Sequence, residues 1–204
     1  LMSDGKALQA GTSHNLGEHF ARVFDITYLD KDGTLKYVWQ TSWGVSTRLI
    51  GAVIMVHGDD RGLALPPVIA PVQVVLVPIA PKQVRETVLQ QARALLAGMR
   101  EAGLRVEMDD REEYSPGWKF NEWEMRGVPL RLELGPRDVD SNQCVLVRRD
   151  TGEKLSVSLD DLPATVEALL AAIQTHMYEK ACDFRSQHSH LHIDNLEQLK
   201  AHIA

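Results

Sequence analysis

Apolar positions divide the chain into three parts, residues 1–71, 72–159 and 160–204. The middle part opens with Val72 to Ile79, an apolar stretch of strand length that suits a strand buried on both faces. Lys82 to Ala102 follows with helical spacing at Val84, Val88, Ala92, Leu95, Leu96 and Met99, and Gly103 stands where a C-cap glycine belongs. With Leu104 to Met108 as a second strand, this is a β-α-β unit whose crossover should be right-handed. Ser115-Pro116-Gly117 predicts a short helix running to about Arg126. Val128 to Leu134, Cys144 to Arg149 and Leu155 to Leu159 read as further strands.

In the first part, Ala21 to Asp30 and Thr34 to Trp43 flank Asp30-Lys31-Asp32-Gly33, which predicts an antiparallel hairpin. Ser46 can cap a helix from Thr47 to His57. Leu49, Ile50, Val53, Ile54 and Met55 surround most of that helix, so burial is expected. Gly58 to Gly62 stops it, and Pro66, Pro67 and Pro71 hold an extended linker. In the third part, Val166, Leu169, Leu170, Ile173 and Met177 mark one face of a long helix. A polar connector from Asp183 to His192 and a short helix from Leu196 to Ile203 complete the prediction.

Composition adds limits. At 204 residues, 44% hydrophobic and 25% charged, the chain reads as soluble globular protein. No apolar run reaches bilayer length, so no membrane partner is expected. The first residues show no signal-peptide pattern, and Leu1 ahead of Met2 is not expected of a natural N-terminus. Two cysteines suggest no disulfide framework and a cytoplasmic location. A net charge of −6 argues against a generally basic nucleic-acid binder but leaves room for a local basic groove.

Four stretches carry candidate chemistry. Gln9 to Gly17 sets hydroxyls, an amide and an imidazole between glycines. It could surround a small polar ligand, or form a polar turn before a helix capped by Ser13 or Asn15. In Thr41 to Arg48, small residues end a strand and Arg48 begins an apolar helix. Its guanidinium could meet a phosphate or carboxylate, or pair with an acid such as Asp59. Ser115 to Asp138 interleaves Trp118, Phe120 and Trp123 with cations and carboxylates. Aromatic faces can stack on splayed bases and acids accept from base N–H groups, although Phe120 and Trp123 also fit the core face of a helix. His188, His190 and His192 alternate as on a strand face, yet lack the paired spacing of structural zinc sites, so no metal site is expected.

The first two stretches, with Val56-His57-Gly58-Asp59-Asp60-Arg61-Gly62-Leu63 and Leu65 to Pro71, closely resemble class II prolyl-tRNA synthetases. The type is the one shared by archaea, eukaryotes and some bacteria, without an inserted editing domain. Ser42 to Arg48 resembles class II motif 3, and the resemblance runs in unbroken order along nearly the whole chain. It implies an α/β protein: a remnant of the antiparallel class II catalytic sheet in residues 1–71, then an anticodon-binding domain with a mixed sheet of about five strands in 72–159. Residues 160–204 would be the helical start of a C-terminal domain.

The same resemblance implies roles. Gln9 and Thr12 would contact the adenosine part of ATP, His14, Trp43, Gly44 and Ser46 would line a proline pocket, and Arg48 would meet the ATP phosphates. Glu124, Arg131, Asp138 and Lys154 would read the anticodon of tRNA(Pro), in which two guanines are consecutive, and Lys119 is a candidate phosphate contact. The parent enzyme would be a homodimer using ATP and Mg to make prolyl-adenylate and charge tRNA. Motif 1, the motif 2 arginine loop and the residues holding the proline imino group are not in the sequence, so this chain alone is not expected to activate proline or to bind a cofactor. Two other classes stay open: a non-catalytic RNA- or protein-binding module, and a sister synthetase for threonine, glycine or histidine.

Overall fold

The computed structural model describes residues 1–190 and 192–203, without the side chain of Ile203. The first part contains β1 (Gly11–Gly17), the short helix α1 (His19–Val23), β2 (Thr27–Leu29), β3 (Leu35–Tyr37), β4 (Gln40–Val45) and the helix α2 (Arg48–His57). The expected hairpin is present only as β2 with β3, turning through Gly33 at φ +77°. Ala21 to Val23 coils instead, burying Ala21, and Gln40 to Val45 pairs with β1 rather than continuing the hairpin. Gln9 to Gly17 therefore does not open a capped helix. From Gly11 onward its backbone groups find partners on β4, which suffices for a strand whatever its side chains.

The expectation of a buried α2 is corrected. None of its residues is buried, and Ile50 is 65% exposed. Ser46 Oγ accepts from Arg48 N at 3.3 Å, while Thr47 is the capping position.

The rest of the chain forms β5 (Val74–Pro78), α3 (Arg85–Glu101), β6 (Val106–Met108), α4 (Pro116–Met125), β7 (Leu130–Leu134), α5 (Pro136–Asp140), β8 (Gln143–Arg148), β9 (Lys154–Ser158), α6 (Leu162–Gln187) and α7 (Leu196–Ile203). Five strands make one mixed sheet in the order β6-β5-β7-β8-β9, with β5 parallel to β6 and β7 and the last two pairings antiparallel. β5 is buried at every position, as its apolar run predicts.

Alternation along β7 decides the two faces. Leu130, Leu132 and Leu134 enter the large core with Val88, Ala92 and Met99 of α3 and Leu162, Val166, Leu170 and Ile173 of α6. That core runs across residue 160, where the sequence pattern suggested a division. On the other face, Val75 and Val77 pack with Trp123 and Val128 and with half-buried Phe120. α6 continues through Gln187, past the predicted start of a polar connector. Among the described residues of the histidine run none is in a strand: His188 ends α6 with its Nδ1 2.8 Å from Phe184 O, and His190 stacks on His202.

A candidate nucleic-acid interface

The α4 face of the sheet gathers several charged side chains. The registers place Val75, Arg131, Val147 and Lys154 in one row across β5, β7, β8 and β9. Side chains in register share a face, so this row points towards α4. There it meets Trp123 and Glu124, and a cavity of about 200 Å³ lies between them, lined also by Arg61, Arg148, Arg149 and Gly152. Arg61, Arg131, Arg149 and Lys154 thus surround a single carboxylate, within a chain of net charge −6, while Arg148 lies opposite Leu130 and turns its side chain to the other face.

Each cation but one has an acidic partner. Arg131 bonds Glu133 Oε1 at 2.9 and 3.0 Å and lies 4.1 Å from the centre of the Phe120 ring. Arg148 is forked by Asp150 at 2.7 and 3.0 Å. Arg61 Nη1 stands 2.7 Å from Glu124 Oε1. Arg149 is buried, grips both oxygens of Asp59 at 2.6 and 2.8 Å and donates to the Glu124 carbonyl at 3.1 Å. These bonds from Arg149 hold the Asp59 carboxyl well below the usual carboxylate range. Lys154 is exposed and has no ion-pair partner among the described residues.

The loop after α2 is fastened to this site. Leu63 N and Leu65 N donate to Met125 O and Gly127 O at 2.9 and 3.1 Å. The backbones approach so closely that a Cβ on Gly62, at φ +120°, would sit 2.6 Å from Met125 O. Arg61 therefore belongs to the site although it lies far upstream in sequence. Its run of charges beside glycines reads as a turn, and only the fold carries it to Glu124.

Of the expected anticodon readers, the structure brings Glu124, Arg131 and Lys154 together at this cavity. Asp138 is elsewhere, beyond the end of β7, where its Oδ2 accepts from Gly135 N at 2.7 Å and caps α5. Lys119 is a correction. It is 2% exposed, with Nζ donating to Asp109 O at 3.0 Å and lying 3.6 Å from Asp109 Oδ1, so it cannot meet a phosphate. Asp109 also accepts from Arg111 at 2.7 and 2.9 Å and from Trp123 Nε1 at 2.8 Å. Burial alone would raise the Asp109 carboxyl, but these donors and the Lys119 charge hold it well below the usual range. Lys119 and Trp123 are thus internal supports of α4, as the core reading of Trp123 anticipates.

The other candidate residues meet on the β1–β4 ribbon. Thr12 lies opposite Gly44, Ser13 opposite Trp43 and His14 opposite Ser42. By alternation Thr12, His14 and Gly44 share one face and Trp43, 77% exposed, takes the other. Arg48 Nη1 donates to Gln9 O at 3.4 Å, and Arg48 is exposed rather than buried. Asp59 is committed to Arg149 and Arg61, not to Arg48.

Residues 73–169 match the family model described as "Anticodon binding domain". The whole chain is 63% identical to the proline–tRNA ligase of Symbiobacterium thermophilum. By sequence this chain is similar to the C-terminal part of proline–tRNA ligases. Over 98% of its length it is also 59% identical to the proline–tRNA ligase of Natranaerobius thermophilus and 57% identical to that of Alkaliphilus oremlandii. It spans 41 to 42% of the length of these relatives. The mixed five-stranded sheet with its helices is consistent with an anticodon-binding domain. No helix among the described residues is long and apolar enough to cross a membrane.

Proposed function

We propose that this chain is the part of a cytoplasmic proline–tRNA ligase that reads the anticodon of tRNA(Pro) and carries the motif 3 arginine of proline activation. The observation that carries the reading is the cavity on the α4 face, where one carboxylate sits among cations in a domain of the anticodon-binding family. Guanine offers two adjacent donors, N1–H and N2–H, to the Glu124 carboxylate, and its O6 and N7 accept from Arg131 or Lys154. Adenine presents no such donor pair, so it would leave Glu124 unpaired in a half-buried place, at about 1–3 kcal/mol. The second guanine lies outside the cavity in this account. Asp138 Oδ1, which accepts no bond among the described residues, is the acceptor assigned to it.

The test is a fluorescence titration of the 204-residue chain with anticodon stem-loops at two salt concentrations. The expected result is weak, salt-sensitive binding that falls when either guanine becomes adenine, with Asp138→Asn affecting only one of the two positions. Equal affinity for all loops refutes the reading.

For the ATP reaction, the exposed Arg48 beside Gln9 is the group assigned to the phosphates, with Thr12, His14 and Gly44 on one face of the ribbon towards ATP and proline. Attack of the proline carboxylate on the α-phosphate needs positioning and neutralisation of developing charge, which a guanidinium supplies. Trp43 and Ser46 border the same ribbon. Magnesium would enter with ATP. The described residues hold no group of three His, Cys, Asp or Glu side chains able to bind a metal, so no step is assigned to it. In a full-length homodimeric ligase, Arg48→Ala should sharply lower proline-dependent ATP–pyrophosphate exchange while leaving tRNA affinity nearly unchanged. Unaltered exchange would remove Arg48 from this role.

A further inference from the structure

We infer that Arg61 is a positioning residue for anticodon reading: it anchors the Glu124 carboxylate from one side so that its open edge faces an incoming guanine. The inference rests on the reading of the cavity given above. It adds a residue from outside the 73–169 segment that matches the anticodon-binding family.

The geometry supports a positioning role. Glu124 ends α4 with a side chain 22% exposed, and a free glutamate there would sample several rotamers at the cavity mouth. Arg61 Nη1 meets Oε1 at 2.7 Å, whereas no described donor reaches Oε2. Oε1 is thus held on one side with a lone pair to spare and Oε2 stays open, so the two oxygens can still accept the two guanine donors. Arg61 is itself held from behind. Its N–H donates to Asp59 Oδ1 at 2.9 Å, and the Asp59 carboxylate is gripped by buried Arg149. Arg149 also donates to the Glu124 carbonyl, so one guanidinium fixes both the backbone of Glu124 and the loop that carries Arg61. Gly152 of the β8–β9 turn, at φ +75°, borders this crossing, and a Cβ there would make only ordinary contact with Arg61 Nη1, at 3.9 Å.

An exposed ion pair of this kind contributes little to stability, Arg61 being half exposed, so its value lies in orientation rather than folding.

The test is a double-mutant cycle on the 204-residue chain, read as the affinity ratio between a guanine loop and the same loop with inosine, which lacks N2–H, at each guanine in turn. With the wild type preferring guanine, R61A should lower that ratio roughly fivefold to tenfold at one position, in line with loss of one oriented hydrogen bond to a charged group. R61K should restore part of it, because it keeps the charge without the fork. In an E124Q background R61A should change the ratio no further. The thermal midpoint and the salt dependence should move little. Should R61A fail to fold, R61Q keeps the bulk and carries the same expectation.

A preserved ratio in R61A, or an R61A effect that persists undiminished in E124Q, overturns the inference and leaves the cavity reading standing. No guanine preference in the wild type overturns the cavity reading itself, and the role of Arg61 with it.

Discussion

Replacing Lys119 by alanine separates two accounts of the same residue. Its sequence neighbourhood, between Trp118 and Phe120, suits a phosphate contact. Its position in the fold makes it a buried support. The side chain is almost fully enclosed and Nζ donates to Asp109 O at 3.0 Å. Removing it loses a hydrogen bond from a charged donor, about 1.5–3 kcal/mol. The enclosed methylenes add roughly 1 kcal/mol through lost packing. Asp109 keeps Arg111 and Trp123, so its carboxylate is not abandoned, and the total should be about 2–4 kcal/mol. In a protein of this size that lowers the thermal midpoint by roughly 4–15 °C. Urea unfolding of wild type and K119A, followed by circular dichroism, measures the loss. A parallel RNA titration should show an unchanged salt slope for the folded fraction. Normal stability with a flattened salt slope would refute the burial argument and return Lys119 to the phosphates.

Other expectations follow from the same geometry. Arg149→Ala strips the buried partner from Asp59 and frees the loop after α2; hydrogen exchange should speed up at the Leu63 and Leu65 amides while the Leu132 amide keeps its protection. Asp59 and Asp109 both titrate lower folded than unfolded, so their contribution is complete above about pH 4 and is lost as pH falls below that. Acid titration should show stability falling below about pH 4, with a shallower fall in Asp109→Asn, and an equal slope in both proteins would contradict this. Burial, aided by the Asp138 charge, pushes the Cys144 thiol up to about 12, so a thiol reagent should modify half-exposed Cys182 first. Rapid labelling of Cys144 in the folded protein would contradict its place in the core.

The elements legible in the sequence are those whose signal is local. Val74 to Pro78 is apolar throughout, α3 keeps its helical spacing, and Ser115-Pro116 starts α4 with Ser115 Oγ accepting from Trp118 N. β1 was not legible as a strand, because Gly11 to Gly17 is largely polar and exposed and is made a strand by β4, some thirty residues on. α5 is only five residues long, too short for a periodic signal. α2 has the composition of a buried helix but meets α6 only sparsely, and none of its residues is buried. For the site, the expectation of base reading at Glu124, Arg131 and Lys154 came from resemblance, and the sheet registers explain why Arg131 and Lys154 share the face that α4 covers. The burial of Lys119 depends on Asp109, and the placing of Arg61 depends on Arg149, ninety residues from Asp59. Neither pairing leaves a mark in local sequence.

The central claim is that the Glu124 carboxylate reads guanine by accepting two N–H groups. It is tested most directly by comparing guanine and adenine stem-loops on the wild type and on Glu124→Gln, which keeps the shape but replaces one acceptor oxygen by a donor. The wild type should prefer guanine at one of the two positions by roughly 5- to 100-fold. Glu124→Gln should bring that ratio close to one, with the other position and the salt dependence unchanged. A Glu124→Gln protein that discriminates as well as the wild type would contradict the account.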